Sequence, residues 1–340
     1  MRKGINHYIV IKLVLIFSLL AHDTAESQNG NKEKLDVTFF VAADLHFDPP
    51  PETDQYYHVA AMNSISGIFD TNKVLTFLEE IGGSKTGFGS CGQKINIPKG
   101  VVLVGDITDR AEPSSLKLLK ERYEIGMGIN QIHFQVYVGL GNHDLDPQHV
   151  EPRQEEYRKQ MLNYVTARHQ GNNAPVSVDN FDSTSHNYSW NWGNLHLVQT
   201  HRFAGNIENG HVNSLEWLKA DLKKYASNGE PVIIFQHYGF DKFSLGWWSD
   251  AERNALKEVL KDYNVVGIFT GHNHFAENLK WGEIPVFQVN NAWKDEDGNG
   301  SFAVCHVTDE YIDIVTCRWK DGEGNAEFVF PFYTKKFNQK

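Results

Sequence analysis

The chain has 340 residues, of which 41% are apolar and 22% charged. This composition suits a folded protein with one large core or two modest ones, and it argues against disorder, collagen and coiled coil. A formal net charge of −11 disfavours broad electrostatic binding of nucleic acid. Sixteen histidines against three cysteines are unusual, because histidine is the side chain most used at metal and acid–base sites near neutral pH.

The amino terminus has the pattern of a secretory signal peptide. Basic residues precede the apolar run 13–21, which is too short to span a bilayer, and polar residues follow it. The small residues Ala25 and Ser27 predict cleavage after Ser27. We therefore expect residues 1–27 to be removed, residues 28–340 to form a single domain, and the protein to be secreted or periplasmic without a stable membrane anchor. An uncleaved anchor helix is the alternative.

Short β-branched and aromatic runs alternate with helical patterns along the rest of the chain. The runs predict strands at 37–43, 101–104, 134–138, 194–199, 232–236, 265–269 and 284–289, followed by an antiparallel meander over 301–332. The helical patterns lie at 72–81, 113–124, 151–169, 214–226 and 250–263. Capping boxes pair Asn213 with Glu216 and Ser249 with Glu252, and Pro113 suits a first helical turn. The alternation predicts an α/β protein with parallel or mixed sheets.

The three cysteines do not form a disulfide framework. Cys305 and Cys317 lie on the two strands of a predicted hairpin, in whose register Cys305 faces Ile314. A disulfide between them would need a slipped register, so buried thiols are expected.

Polar clusters follow five of the predicted strands. In chain order they are Asp44-Leu45-His46, Gly105-Asp106 with Asp109-Arg110, Gly141-Asn142-His143-Asp144, His237, and Gly271-His272-Asn273-His274. Open α/β sheets gather ligand groups in the loops beyond the carboxyl ends of their strands, so these clusters could converge on one crevice. Together they offer two aspartates, one asparagine and four histidines as ligands. This oxygen and nitrogen set suits two transition-metal ions better than calcium or a closed structural zinc.

The five blocks, in this order from Asp44 to His274, resemble the calcineurin-like metallophosphoesterases. Any single block is a weak signal, but five blocks in the family's order at strand ends make a chance match improbable. The resemblance implies a four-layer αββα sandwich of two mixed sheets, with a dinuclear metal site at the strand ends.

The resemblance also implies a role for each matching residue. Asp44, His46 and His274 would bind one metal, Asn142, His237 and His272 the other, and Asp106 would bridge them. The cofactors would be two divalent transition-metal ions, drawn from manganese, iron, zinc or cobalt. Such a pair lowers the pKa of a shared water, so that hydroxide is present near neutral pH to attack phosphorus.

His143 resembles the family's general acid, which protonates the leaving oxygen. Asp144 beside it is expected to orient the imidazole of His143 or to raise its basicity. Asp109 and Arg110 look like residues that support the ligands without binding metal themselves. Purple acid phosphatases, a branch of the superfamily, carry tyrosine where Asp109 stands, so their charge-transfer iron site is not expected here.

Two stretches are candidates for substrate contact. The first is a polar and aromatic loop expected over 47–63, which faces either substrate or solvent. The second is the aromatic run after His237, from Tyr238 to Trp248, which either clamps a leaving group or fills the core. Arg202 either contacts a phosphate oxygen or lies at the surface.

The sequence therefore predicts an exported dinuclear-metal hydrolase of phosphomonoesters or phosphodiesters. Its partner would be a small-molecule or lipid phosphate ester, with no nucleic acid, and its oligomeric state is left open. One alternative is a catalytically inactive, metal-bound module that recognises a ligand. Another is a phosphodiesterase acting on phospholipid or nucleotide. A nuclease is disfavoured by the acidic charge and the missing basic stripe.

Overall fold

The structure is a computed structural model, and it describes residues 34–50, 54–126, 128, 130–205, 214–296 and 298–337. The predicted signal peptide and the predicted capping residue Asn213 lie outside these ranges. Within them, no helix has both the length and the apolar character needed to cross a membrane.

The first of two large sheets has six strands in the order β15-β14-β13-β1-β4-β5. β1 pairs in parallel with β4, and β4 with β5, whereas the pairs from β1 through β13 and β14 to β15 are antiparallel. In chain order the strands are β1 (Asp36–Ala42), β4 (Val101–Val104), β5 (Val136–Gly139), β13 (Ser301–Thr308), β14 (Tyr311–Trp319) and β15 (Ala326–Lys336).

The second sheet has seven strands in the order β11-β12-β10-β9-β8-β7-β6. Its middle strands, β12, β10, β9 and β8, are parallel, and both edges are antiparallel. The strands are β6 (Asn180–Phe181), β7 (Tyr188–Trp192), β8 (Leu195–Gln199), β9 (Pro231–Phe235), β10 (Asn264–Thr270), β11 (Glu277–Trp281) and β12 (Ile284–Gln288). A separate short hairpin pairs β2 (Glu80–Ile81) with β3 (Ser84–Lys85).

In the described part of the chain, six α-helices accompany the sheets: α1 (Gln55–Ile65), α2 (Pro113–Tyr123), α3 (Asn142–Leu145), α4 (Gln154–His169), α5 (Leu215–Tyr225) and α6 (Asp250–Leu260). Helices α5 and α6 bury leucines in one apolar cluster with Val232 and Ile234 of β9. On the first sheet, α1 contacts β14 and α4 contacts β5. The mixed α/β fold with two mixed sheets is therefore confirmed.

Aromatic rings fill the space between the two sheets. The ring of Phe39 on β1 lies 6.3 Å from that of Phe235 on β9 and 6.4 Å from that of Phe269 on β10. All three side chains are fully buried. Each such ring removes a large apolar area from water, so this layer holds the two sheets together. The packing also fixes the positions of their strand ends relative to one another.

All seven predicted strands are confirmed to within about two residues, and so is the hairpin register that places Cys305 opposite Ile314. Cys305 and Cys317 are free and buried, as expected. The capping box at Ser249 and the first-turn position of Pro113 are also confirmed.

The predicted helix at 72–81 is wrong. Only a turn of 3₁₀ helix forms there, at Thr71–Lys73, with Asp70 accepting a hydrogen bond at its start. The chain then runs extended, because Phe77 donates its N–H to the carbonyl of Gln93, and Leu75 accepts from the N–H of Ile95. Backbone pairing with a distant segment thus replaces the internal bonds of a helix.

The expected long loop over 47–63 is also wrong, because its second half is helix α1. His58 and Asn63 lie on this helix and are fully buried. The ring of His58 contacts the hydroxyl of Tyr123 through Nδ1 (2.8 Å) and the carbonyl of Ser301 through Nε2 (3.1 Å). The helix buries its polar side chains against these partners, a pattern that hydrophobic periodicity does not reveal.

Candidate metal centre

The five polar clusters follow five parallel strands: β1, β4 and β5 of the first sheet, and β9 and β10 of the second. Backbone hydrogen bonds continue between the loops beyond these strands. Asp44 donates its N–H to the carbonyl of Gly105 (3.0 Å), and Gly271 donates to that of His237 (3.0 Å). The N–H of His272 reaches across to both carboxylate oxygens of Asp44, at 2.9 and 3.1 Å. The loops of the two sheets therefore meet at one site.

Five of the seven candidate ligands have left-handed backbone, with φ between 43° and 80°: Asp44, His46, Asp106, His272 and His274. This conformation costs roughly 1–2 kcal/mol for a residue with a Cβ, and it persists only where the surroundings impose it. It turns the chain sharply at the ends of β1, β4 and β10. The site thus carries concentrated backbone strain, as functional sites often do.

Two glycines allow the loops to approach closely. A Cβ built on Gly141 would lie 2.1 Å from Oδ1 of Asp106. One on Gly271 would lie 2.6 Å from Oδ2 of Asp44 and 2.8 Å from the Cβ of Ala43. No side chain fits at either position, so the geometry of the site requires glycine at both.

The candidate ligands form two groups. In the first, ligand atoms of Asp44, His46 and His274 all lie within 4.8 Å of one another. In the second, the same holds for Asp106, His237 and His272. Oδ2 of Asp106 lies 3.0 Å from Nε2 of His237 and 3.6 Å from Nε2 of His46, between the two groups.

The amide of the seventh candidate, Asn142, belongs with the second group. Its Oδ1 lies 3.2 Å from Nε2 of His237. The structure therefore brings together all seven side chains named from the sequence, in the division that the resemblance implies.

The rings of His46, His237 and His274 each place Nε2 within 3.6 Å of a carboxylate of the site. Nδ1 of His237 donates to the carbonyl of Val104 (2.9 Å), and Nδ1 of His46 bonds Oδ1 of Asp109 (3.0 Å). Nε2 of His46 and Nε2 of His272 are buried and make no hydrogen bond to any described residue. Unpartnered, inward-facing imidazole nitrogens beside carboxylates form a donor set that fits transition-metal ions.

Burial and the neighbouring ligands shift the pKa values of the ionisable ligands. Burial raises the pKa of Asp44. Burial acts in the same direction on Asp106, but the charge and hydrogen bond of His237 outweigh it and hold the pKa of Asp106 well below its usual range. Burial and the neighbouring His237 lower the pKa of His272 to about 3, which keeps its ring neutral and able to bind a cation.

His143 lies at the edge of this cluster with a third of its side chain exposed. Its Nδ1 donates to the backbone carbonyl of Asp109 (2.8 Å) and lies 3.5 Å from the carboxylate of the same residue. Burial lowers the pKa of His143, but the bonds and charges of Asp109 and Asp106 outweigh it and raise the pKa to about 10. Asp109 thus supports both His143 and His46.

The expectation that Asp144 orients the ring of His143 is wrong, since Asp109 makes those contacts. The buried carboxylate of Asp144 accepts bonds from the backbone N–H groups of Ile107, Thr108 and Gly141, and from the hydroxyl of Thr108. Burial raises its pKa to about 6. Asp144 therefore ties the loop after β4 to the loop after β5.

The aromatic run after His237 divides between the core and the surface, so the interpretation that it fills the core holds for part of it. Tyr238 and Trp248 are buried in the second apolar cluster. Phe243 and Trp247 are exposed, and their rings lie 5.5 and 5.2 Å from that of His272.

Two other contacts near the site differ from the sequence-based expectations. Arg202 is buried and bonds the carboxylate of Asp146, so it is not a surface residue. Sequence reasoning missed Trp293, whose ring packs against those of His46 (5.2 Å) and His274 (5.1 Å). Its position after the predicted strand 284–289 was the one available signal.

Solved structures share this fold at low sequence identity. A dimetal phosphatase from Danio rerio matches with a TM-score of 0.52 and 12% identity, covering 86% of this chain and 98% of that one. A purple acid phosphatase from yellow lupin matches with a TM-score of 0.53 and 11% identity, covering 89% of this chain and 54% of that one. GAP50, the anchor in the inner membrane complex of Plasmodium, matches with a TM-score of 0.52 and 14% identity, covering 90% of this chain and 89% of that one. Among curated proteins no match was found.

The fold and the histidine and carboxylate groups are those of a metallophosphoesterase. The family model of the calcineurin-like phosphoesterases matches residues 37–276, which include every candidate ligand. The chain therefore belongs to the calcineurin-like phosphoesterase family, and it is a metal-dependent phosphoesterase.

Proposed function

We propose that the chain is an exported hydrolase that cleaves phosphomonoesters or phosphodiesters with the help of two divalent transition-metal ions. The observation that carries this proposal is the pair of ligand groups around Asp106, in which Nε2 of His46 and Nε2 of His272 are buried without a hydrogen bond to any described residue. Asp44, His46 and His274 would hold one ion, and Asn142, His237 and His272 the other. When bound, two such ions stabilise negative charge on the phosphoryl oxygens and lower the pKa of water.

His143 would protonate the leaving oxygen. Its raised pKa keeps the ring protonated near neutral pH, and its Nδ1 is occupied by Asp109. Nε2 is then the remaining donor of the ring. A leaving alkoxide needs this proton whether the substrate is a monoester or a diester.

Export rests on the signal-peptide pattern of residues 1–27. The acidic net charge favours a small-molecule or lipid phosphate ester over nucleic acid as the partner. At long range this charge repels an anionic substrate, so local attraction must come from the metal site.

The test is hydrolysis of p-nitrophenyl phosphate and of its bis-ester by the purified protein with manganese, zinc, iron or cobalt. We expect turnover that a chelator abolishes, and Asp106→Asn should reduce it by at least about 100-fold because the carboxylate between the two groups is lost. Asp262→Asn, at an exposed position after α6, is the matched control. Full activity in Asp106→Asn, or no turnover with any metal, would refute the proposal.

A non-catalytic role is the alternative, since GAP50 has a similar fold and is described as an anchor. Binding of metal without turnover of any ester would favour that role.

A further inference from the structure

A cavity of about 650 Å³ opens beside the second ligand group. Asn142, Tyr238 and Trp247 line it on the side of the metal centre, and Arg158 and Arg202 line it further away. A volume of this size accommodates a small organic group, and its position next to Asn142 places that group within reach of a phosphate held at the metal centre.

The wall nearest the metal centre is aromatic. Phe203 and Tyr238 are buried and stack on each other, and the half-exposed ring of Trp247 lies 6.1 Å from that of Tyr238 with 29° between their planes. Phe243 lies outside the cavity lining, and its ring meets that of Trp247 edge-on, at 4.8 Å and 67°. Trp247 therefore offers the exposed aromatic face on which a flat ligand can stack.

The loop that carries this wall is held rigidly. The buried guanidinium of Arg253 donates to the carbonyls of Gly239, Phe240 and Asp241, at 3.0 to 3.1 Å. The carboxylate of Asp241 accepts bonds from the N–H and the hydroxyl of Ser244, at 2.9 and 2.8 Å.

Phe243 and Trp247 are nevertheless 61% and 50% exposed. Large apolar rings that a hydrogen-bonded loop holds exposed to solvent are typical of a preorganised binding surface.

The far wall is polar and carries charges of both signs. Arg158 and Arg202 both bond the carboxylate of Asp146, and Gln148, Gln154 and Glu252 also line the cavity. An acyl chain would leave these polar groups unpaired. A flat ring with hydrogen-bonding groups at its edges matches both walls.

We propose that this cavity binds the leaving group of the phosphate ester and selects a flat, polar ring system of the nucleoside type. The inference rests on the proposed function, because it places the leaving group next to the phosphate site. Trp247 would stack on the ring, Phe243 would hold Trp247 in place from outside the cavity, and the polar wall would contact the edges and hydroxyls of the ligand.

Binding of adenosine tests the cavity without any turnover. Stacking on aromatic side chains contributes roughly 1–3 kcal/mol per base, so Phe243→Ala combined with Trp247→Ala should weaken adenosine binding at least about tenfold in calorimetric titration. Phe69→Ala, an exposed ring in the segment after α1, is the matched control. Failure of adenosine to bind the unmodified protein, or equal binding to the double variant, would overturn the proposal.

Turnover gives a second readout. For adenosine monophosphate, kcat/KM of the double variant should fall about 10- to 100-fold, while for glycerol phosphate it should change less than about twofold. An equal loss on both substrates would contradict the assignment, because it would mean that the rings only support His272. If the unmodified protein hydrolyses neither ester, the proposed function fails, and the adenosine titration still decides whether the cavity binds a nucleoside.

Discussion

Asp109 bonds two functional histidines of the site, His143 and His46. Asp109 bonds Nδ1 of His143 through its carbonyl and Nδ1 of His46 through its carboxylate. Its pKa is held well below the usual range, first by the hydrogen bonds of His143 and His46, so it stays ionised throughout the neutral range. One carboxylate thereby orients a candidate ligand and the proposed general acid together.

Replacing His143 with alanine should affect esters according to their leaving groups. Turnover of an alkyl phosphate should fall by about 100- to 10,000-fold, because an alkoxide cannot leave without a proton. Turnover of p-nitrophenyl phosphate should fall much less, because nitrophenolate is stable as an anion. Steady-state kinetics on both substrates, with metal content measured alongside, check this expectation. Equal losses at unchanged metal content would show that His143 is not the acid.

At the scale of elements, the site depends on how closely the loop after β10 approaches the end of β1. Gly271 is the point of contact, because a Cβ there would lie 2.6 Å from Oδ2 of Asp44. The same loop carries His272, whose N–H bonds that carboxylate. Any displacement of this loop therefore moves a ligand of each group.

Gly271→Ala should lower the free energy of unfolding by about 1–3 kcal/mol through overpacking, and it should reduce metal content. Urea unfolding and elemental analysis measure the two effects. Gly246→Ala serves as the control, because a Cβ at that position meets no atom of any described residue within 4 Å. Full metal occupancy in Gly271→Ala would show that the loop can shift without disturbing the site.

For the whole molecule, two of the buried histidines make the fold sensitive to acid. Burial lowers the pKa of His58 to about 4 and that of His169 to about 3, against 6.5 for an ordinary histidine. The unfolded chain therefore binds protons below about pH 6.5 that the folded chain does not. Their contribution to stability is complete above that pH and is lost as the pH falls toward the lower values.

We expect the free energy of unfolding to fall on acidification from about pH 6.5 to about pH 4, by up to about 1.4 kcal/mol per pH unit for each such histidine. His58→Gln should remove one of these contributions and flatten the dependence. Urea unfolding at about pH 7 and about pH 5 measures the difference. His149→Asn, at an exposed position with left-handed backbone that asparagine tolerates, is the control and should leave the slope unchanged.

The seven candidate ligands and the strands before them could be predicted from the sequence, because apolar runs and the polar residues that follow them are local patterns. Helix 72–81 was wrongly predicted because distant backbone groups pair with that segment. The role of Asp144 was wrong because its position beside His143 in the chain does not decide which atoms its carboxylate meets. Trp293 was missed because its contacts with His46 and His274 join segments far apart in the chain.

The sequence by itself determined the family, the α/β class and the chemical types of the ligands, since five short motifs in order carry that information. Only the tertiary structure decided which ring nitrogens of the histidines lie beside the carboxylates, and that Asp109 supports His143. It also showed the rigid aromatic wall formed by Tyr238 and Trp247. These features depend on contacts between the ends of strands in two different sheets, and such long-range contacts leave no periodic signal in the chain.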